Sequence, residues 1–219
     1  MTDGILLIDK PANMTSFGVV ARVRRVLSQQ QNKRVKVGHT GTLDPFATGL
    51  MIIVVGKECK NAGTYSKLDK VYQATIRLGQ TSTTGDPEGE ITDVSQLEPT
   101  KLQIEEALDK FRGEITQRPP IYSAIKVDGQ RAYKLARKGV EVTMPTRQAM
   151  IHSLELTGYT YPDITIRANV GSGTYIRTLA EDIGSALGVG AYCSQLRRMS
   201  IDKWQIADGQ TLASFGITD

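Results

Sequence analysis

Histidine, cysteine and tryptophan are scarce in this 219-residue chain: two, two and one, respectively. Cys59 and Cys193 stand far apart and no Cys-x-x-Cys occurs, so neither a disulfide framework nor a zinc site is expected, and no metal ligand is assigned. Long apolar runs are missing too. The run Leu50 to Val55 is far short of the ~20 residues that a membrane-spanning helix needs. No signal-peptide pattern opens the chain, and the expectation is a reduced, cytoplasmic protein without membrane contact. There is no internal repeat, no low-complexity segment and no phosphate-loop lysine pattern, so no nucleotide or other cofactor is expected. A large excess of one charge is also absent, with 27 basic residues against 23 acidic and a net charge of +4.

The distribution of charge is more informative than its sum. From Arg22 to Lys36 the chain carries Arg22, Arg24, Arg25, Lys33, Arg34 and Lys36 and no carboxylate. A second concentration holds Arg131, Lys134, Arg137, Lys138 and Arg147 against Glu141, and a third is Arg197-Arg198. Clusters of this kind suit contacts to a phosphate backbone, and Arg22, Arg25, Lys36, Arg131, Lys134, Arg137, Lys138 and Arg197 are the candidates. Each taken alone could equally be a solvated surface residue.

Periodicity sketches a mixed chain. Gly4 to Ile8 reads as a short buried strand, ended by Asp9-Lys10-Pro11. Thr15 or Ser16 caps a helix to about Leu27, with Val19, Val20, Val23, Val26 and Leu27 on one face. Ser28 to Lys36 reads as a loop, Leu50 to Val55 as a core strand, and Lys57 to Lys70 as a helix. Val71 to Gly79 follows as a strand, and residues 80–93 as a polar, glycine-bearing loop. Thr100 and Gln103 have capping-box spacing for a helix closed by Gly113. A short basic helix is expected from Arg131 to Lys138. Met150 to Tyr159 and Ile164 to Val170 make two strands with a turn near Pro162-Asp163. Thr178-x-x-Glu181 has capping-box spacing for a helix through Leu187, and Tyr192 to Met199 makes a last strand.

The densest signal is Val37-Gly38-His39-Thr40-Gly41-Thr42-Leu43-Asp44-Pro45-Phe46-Ala47-Thr48-Gly49-Leu50. Its glycines free the backbone, Pro45 keeps Asp44 out of a helix, and the segment feeds a buried strand. One carboxylate and one of the two histidines thus sit on a loop expected to be rigid, a place where sites are built. Asp before Pro is also ordinary turn chemistry, so spacing alone leaves both readings open.

Gly-His-Thr-Gly-Thr-Leu-Asp-Pro-x-Ala-Thr-Gly resembles the catalytic motif of the TruB family of tRNA pseudouridine synthases. The likeness extends to Ile8-Asp9-Lys10-Pro11, to Lys70-Val71-Tyr72-Gln73-Ala74, to Pro120-Ile121-Tyr122-Ser123-Ala124-Ile125-Lys126 and to Gly173-Thr174-Tyr175-Ile176-Arg177. It covers Gly4 to about Trp204. It implies a mixed α+β pseudouridine synthase fold: a central, largely antiparallel sheet with flanking helices and an RNA-binding cleft. A single catalytic domain over residues 1–219 is expected, with an RNA-clasping insertion at about 118–147 and no C-terminal PUA domain. The resemblance makes Asp44 the catalytic aspartate, acting as nucleophile or base. Arg177 would pair with it, and Tyr72 would stack on the target base and could transfer a proton. His39, Tyr72, Tyr175 and Leu196 would contact the nucleotide. The implied reaction isomerises uridine 55 in the T loop of tRNA, with tRNA as partner and the protein a monomer. Two other readings are a tRNA-binding folding chaperone with incidental catalysis and a guide-RNA-dependent pseudouridine synthase subunit.

Pseudouridine formation breaks the C1′–N1 bond, turns the uracil and rejoins it through C5. It needs a carboxylate in a water-poor pocket rather than an energy source. An aspartate with an ordinary pKa of about 3.9 is ionised at neutral pH. Burial alone would raise that value, and a nearby arginine would oppose the rise. The base must leave its stack at a cost of a few kcal/mol, against ~1–3 kcal/mol returned per base stacked on an aromatic ring.

Overall fold

The computed structural model describes residues 3–217 except Ala124, Asp128, Arg137, Lys138 and Glu141, and only the backbone of Tyr133. Arg137 and Lys138, two of the expected phosphate contacts, therefore lie outside the described residues. The fold is mixed α+β on a ten-stranded, mostly antiparallel sheet. In chain order come β1 (Gly4–Lys10), α1 (Ser16–Gln30), β2 (Val37–His39), β3 (Thr48–Val55), a 3-10 turn (Gly56–Asn61), α2 (Ala62–Ser66), β4 (Lys70–Leu78), β5 (Gln80–Ser82), β6 (Ile91–Asp93) and α3 (Lys101–Asp109). Then follow β7 (Gly113–Gln117), β8 (Lys126–Val127), β9 (Gln130–Arg131), α4 (Ala132–Ala136), β10 (Arg147–Thr160), β11 (Asp163–Val170), α5 (Ile176–Ala186), β12 (Ala191–Ile201), β13 (Trp204–Gln205) and β14 (Gln210–Thr211).

The chain forms two compact units, Met1–Gln73 with Leu196–Asp219, and Ala74–Gln195. The boundary falls inside β4 and β12. In the first unit the strand order is β14-β1-β3-β12, with β2 beside β3 and β13 beside β12. β1 and β3 are antiparallel over their full length, from Gly4 opposite Val55 to Lys10 opposite Gly49. β12 joins β3 in parallel, with Arg197 opposite Thr48 and Arg198 opposite Gly49. Leu50 to Val55 is buried throughout, as a continuous β-branched run requires when both faces of a strand are covered. Helix α1 buries Ser16, Val19, Val20, Val23 and Leu27, one stripe of its 3.6-residue period. Thr15 caps it, the side chain accepting from the Gly18 amide, as the sequence implied.

In the second unit the order is β4-β11-β10-β7. β10 runs antiparallel to both β11 and β7. Arg77 grips Asp163 with a bidentate pair, Nε to Oδ1 at 2.9 Å and Nη2 to Oδ2 at 2.6 Å, at the turn joining β10 and β11. The expected capping box opens α3: Thr100 and Gln103 each accept from the other's backbone amide.

Several local expectations change, among them the close of α3, which ends at Asp109 with Lys110 as its cap while Gly113 opens β7. The Lys57–Lys70 helix is broken into a 3-10 turn and the short α2. Residues 80–93 are not a simple loop, since β5 and β6 pair within them. Thr178 does not cap α5. The helix starts at Ile176 with Tyr175 at the cap, and the Thr178 hydroxyl donates to the Arg118 carbonyl at 3.3 Å. The cap thus lies three residues earlier than the spacing suggested, and Arg177 sits inside the first turn of α5 rather than just before it.

Candidate active site

In the first unit, the loop carrying Asp44 is held at nearly every residue around that carboxylate. β2 delivers the chain: Val37 to His39 pair with β3, so the motif's opening residues are strand rather than loop. Thr40 then donates its amide to the Ile52 carbonyl at 3.2 Å. Leu43 is tied to the start of α1. Its amide donates to the Ser16 hydroxyl and its carbonyl accepts from that hydroxyl, both at 2.8 Å. On the other side of Asp44, the Pro45 carbonyl accepts from Lys10 Nζ at 3.1 Å. That lysine is completely buried and also donates to the Pro11 and Met14 carbonyls. The Ala47 amide closes the turn onto the Asp44 carbonyl at 3.2 Å, and Ala47 is fully buried. Asp44 itself is half-buried. A carboxylate whose two chain neighbours are each anchored by a buried polar side chain loses little freedom when it engages a substrate.

Arg198 grips both ends of the same loop. It is only 1% exposed. Its Nε donates to the Leu50 carbonyl at 2.6 Å and its Nη2 to the Gly41 carbonyl at 3.2 Å. Gly49 is the one motif glycine in the left-handed region, at φ +110°, and a Cβ there would lie 2.3 Å from the Arg198 carbonyl oxygen. The loop therefore closes on β12 only because residue 49 has no side chain. Arg197, expected on a phosphate, also has protein partners. It holds Asp9 with Nη1 to Oδ1 at 3.2 Å and Nη2 to Oδ2 at 2.7 Å, and Nη1 reaches the Thr48 hydroxyl. In sequence the two adjacent arginines look alike, yet alternation along β12 sends them to opposite faces with different work.

His39 lies on β2 with a buried Nδ1 that has no hydrogen-bond partner among the described residues. Burial, then the nearby Arg198 charge, pushes its pKa below the ordinary value, so the ring is neutral at neutral pH. Tyr72 is buried on β4 and Leu196 on β12. Two residues before Tyr72, the buried Lys70 donates to the Ser66 and Leu68 carbonyls. Burial first, and Arg198 second, bring its pKa down to about 8, against a smaller opposing effect of Asp69.

In the second unit, Arg177 is 4% exposed and ion-paired with the equally buried Asp86, Nη1 to Oδ2 at 3.2 Å. Its guanidinium also donates to the Thr84 and Tyr122 carbonyls at 2.8 Å each. Asp86 is fixed in turn by the Thr84 hydroxyl at 2.6 Å and the Glu88 amide at 3.0 Å. Glu181, one turn further along α5 and beside Gly85, has its pKa raised by burial, with Arg177 opposing. Sequence reading passed over Asp86. The Thr-x-Asp-Pro spelling marks an Asx turn, but only the fold shows its partner 91 residues away. Tyr175 is held through its backbone, its amide donating to Gln117 Oε1 and its carbonyl accepting from Gln117 Nε2. Its ring packs on Ile125, Ala132 and Met144 of the segment expected to clasp RNA. Arg25, Lys36, Arg131 and Lys134 are exposed, and Arg22 is half-buried.

A mixed α+β sheet with a braced loop that presents a carboxylate fits a catalytic domain. Residues 24–176 match the family model described as the TruB family pseudouridylate synthase N-terminal domain. The tRNA pseudouridine synthase B of Opitutus terrae is 45% identical over 211 residues, covering 96% of this chain and 86% of that protein. That of Azoarcus sp. strain BH72 is 44% identical over 212 residues, covering 97% and 69%. Among solved structures, a chain of a Cbf5-Nop10-Gar1 complex superposes with a TM-score of 0.73 at 28% identity, covering 98% of this chain and 57% of that one. The chain belongs to the TruB family, and it is an isomerase of the pseudouridine synthase class.

Proposed function

We propose that this chain isomerises uridine 55 in the T loop of tRNA to pseudouridine. The observation that supports this most is the 44–45% identity to two tRNA pseudouridine synthases over almost the whole chain, with the Asp44 motif intact. In this reading the Asp44 carboxylate meets the flipped nucleotide and attacks C1′, attacks C6 or removes a ribose proton. Tyr72 stacks on the uracil, Tyr175 and Leu196 line its pocket, and the neutral His39 fills the place the base vacates. Arg177 pairs with Asp44. Arg22, Arg25, Lys36, Arg131 and Lys134 meet phosphates. A single chain acts in the cytoplasm, with no metal and no cofactor. The guide-RNA alternative has weaker support, because the Cbf5 and H/ACA ribonucleoprotein structures that this chain resembles share only 26–28% identity with it.

The test is to incubate the pure protein with an unmodified tRNA transcript, excess chelator and no added nucleotide, and to map pseudouridine by position. The expected product carries it at position 55 alone. Unchanged tRNA, or turnover only with zinc or ATP, would sink the proposal.

A further inference from the structure

Phe17 is 65% exposed in the first turn of α1. A lone exposed aromatic needs no explanation, but this one keeps particular company. Its neighbour Ser16 is buried and bonded to both backbone groups of Leu43, the residue before Asp44. The ring is therefore fixed to the same short rod that anchors the Asp44 loop. Arg24, seven residues on and so on the same side of the helix, lies over the ring at 5.7 Å from its centroid. The same guanidinium reaches the Val37 carbonyl, where β2 begins. Arg24, on the same helix as Phe17, thus covers the ring while its guanidinium is tied to β2, and an Arg-over-aromatic pair of this geometry is attractive. The surrounding chain has no carboxylate from Lys10 to Leu43, while Arg22, Arg24, Arg25, Lys33, Arg34 and Lys36 all lie within it. An apolar ring amid positive charge suits a partner that is flat, aromatic and attached to anions.

We propose that Phe17, braced by Arg24, is a stacking platform for an unpaired base of the substrate RNA, outside the pocket that takes the target uridine. This rests on the RNA-modifying reading above. A membrane surface fits the features less well: one ring offers little apolar area, and a ring covered by Arg24 on one face suits stacking on its other face better than insertion. Base stacking on an aromatic is tolerant of base identity, so the platform would hold a nucleotide in place without reading it.

The experiment compares wild type with Phe17→Ala, Phe17→Leu and Phe17→Trp in filter binding to an unmodified tRNA transcript, with melting curves on the free proteins. Phe17→Ala and Phe17→Leu should bind about 5- to 150-fold more weakly, the span expected for one stacked base, while Phe17→Trp keeps wild-type affinity. Because the ring is exposed, all four proteins should melt within about two degrees of one another. The slope of log affinity against log salt should not change, since no charge is removed. Wild-type affinity in Phe17→Ala, equal binding by Phe17→Leu and Phe17→Trp, or a fall in melting temperature that parallels the loss would each overturn the platform. Pseudouridine mapped in the wild-type reaction reports on the enzymatic reading separately. If it is missing while Phe17→Ala still weakens binding, the enzymatic reading fails and the platform stands.

Discussion

At the scale of single residues, the buried cations of the first unit do the least obvious work. Arg198 spends its fork on two carbonyls, Gly41 and Leu50, that bracket the loop of Asp44. Lysine keeps the charge but cannot span both acceptors. Arg198→Lys should fold, bind tRNA like wild type and lose rate at saturating tRNA by something on the order of 100-fold, the cost of small misplacements at a reacting centre. Single-turnover kinetics beside filter binding would check this, and weakened binding at full rate would mean that Arg198 touches RNA instead. Lys70 makes a pH prediction. In the unfolded chain its proton leaves near the ordinary 10.5, but in the folded protein near 8. Between those values the unfolded state binds the extra proton, so this group makes stability rise with pH from about 8 to 10.5. Urea titrations across that window should show the rise in wild type and a smaller one in Lys70→Met. Equal slopes would refute the perturbed lysine.

Single residues also mark the limits of reading a chain unaided. The loop around Asp44 was legible because glycine and proline act locally, and the caps at Thr15 and Thr100 because a side chain reaches its own backbone three residues on. Arg197 and Arg198 were not separable, since charge in a sequence carries no address. The Thr178 capping box failed because Gln117 side-chain groups already hold Tyr175, the true cap residue, from another strand. Asp86 looked like turn punctuation because its partner is on α5.

At the scale of elements, three pieces converge on one loop: α1 through Ser16, β1 through Lys10 and β12 through Arg198. The apolar run of β1 and the stripe of α1 were visible in the chain, whereas the parallel joining of β3 to β12 was not, being a pairing of residues 149 apart. Ser16→Ala would leave the Leu43 amide and carbonyl without their partner at a buried position, at a cost of about 1–3 kcal/mol. At roughly 2–4 °C per kcal/mol for a chain of this size, the melting temperature should fall by about 2–12 °C. Gly49→Ala should be worse, since its Cβ would meet the Arg198 backbone rather than a side chain that could move. A calorimetric scan that shows either variant melting like wild type would contradict the braced loop.

At the scale of the whole molecule, the mild net charge hides a stretch of α1 and its following loop that is wholly basic. If Arg25 and Lys36 each neutralise a phosphate, tRNA affinity should fall steeply with salt, and each charge-removing substitution should flatten the log–log slope by about one unit. An unaltered slope in Arg25→Ala and Lys36→Ala would make them surface charges only.

The central claim is that one carboxylate, Asp44, performs the isomerisation. Asp44→Asn preserves size and hydrogen-bonding capacity and removes the charge and most of the nucleophilicity. RNA affinity comes mainly from phosphate contacts and stacking, so binding should survive. The direct measurement is single-turnover tritium release from tRNA labelled at C5 of uridine, run beside a filter-binding titration of the same preparation. The account predicts folded Asp44→Asn protein that binds tRNA at near wild-type strength and releases no tritium. Appreciable release by that protein would contradict it.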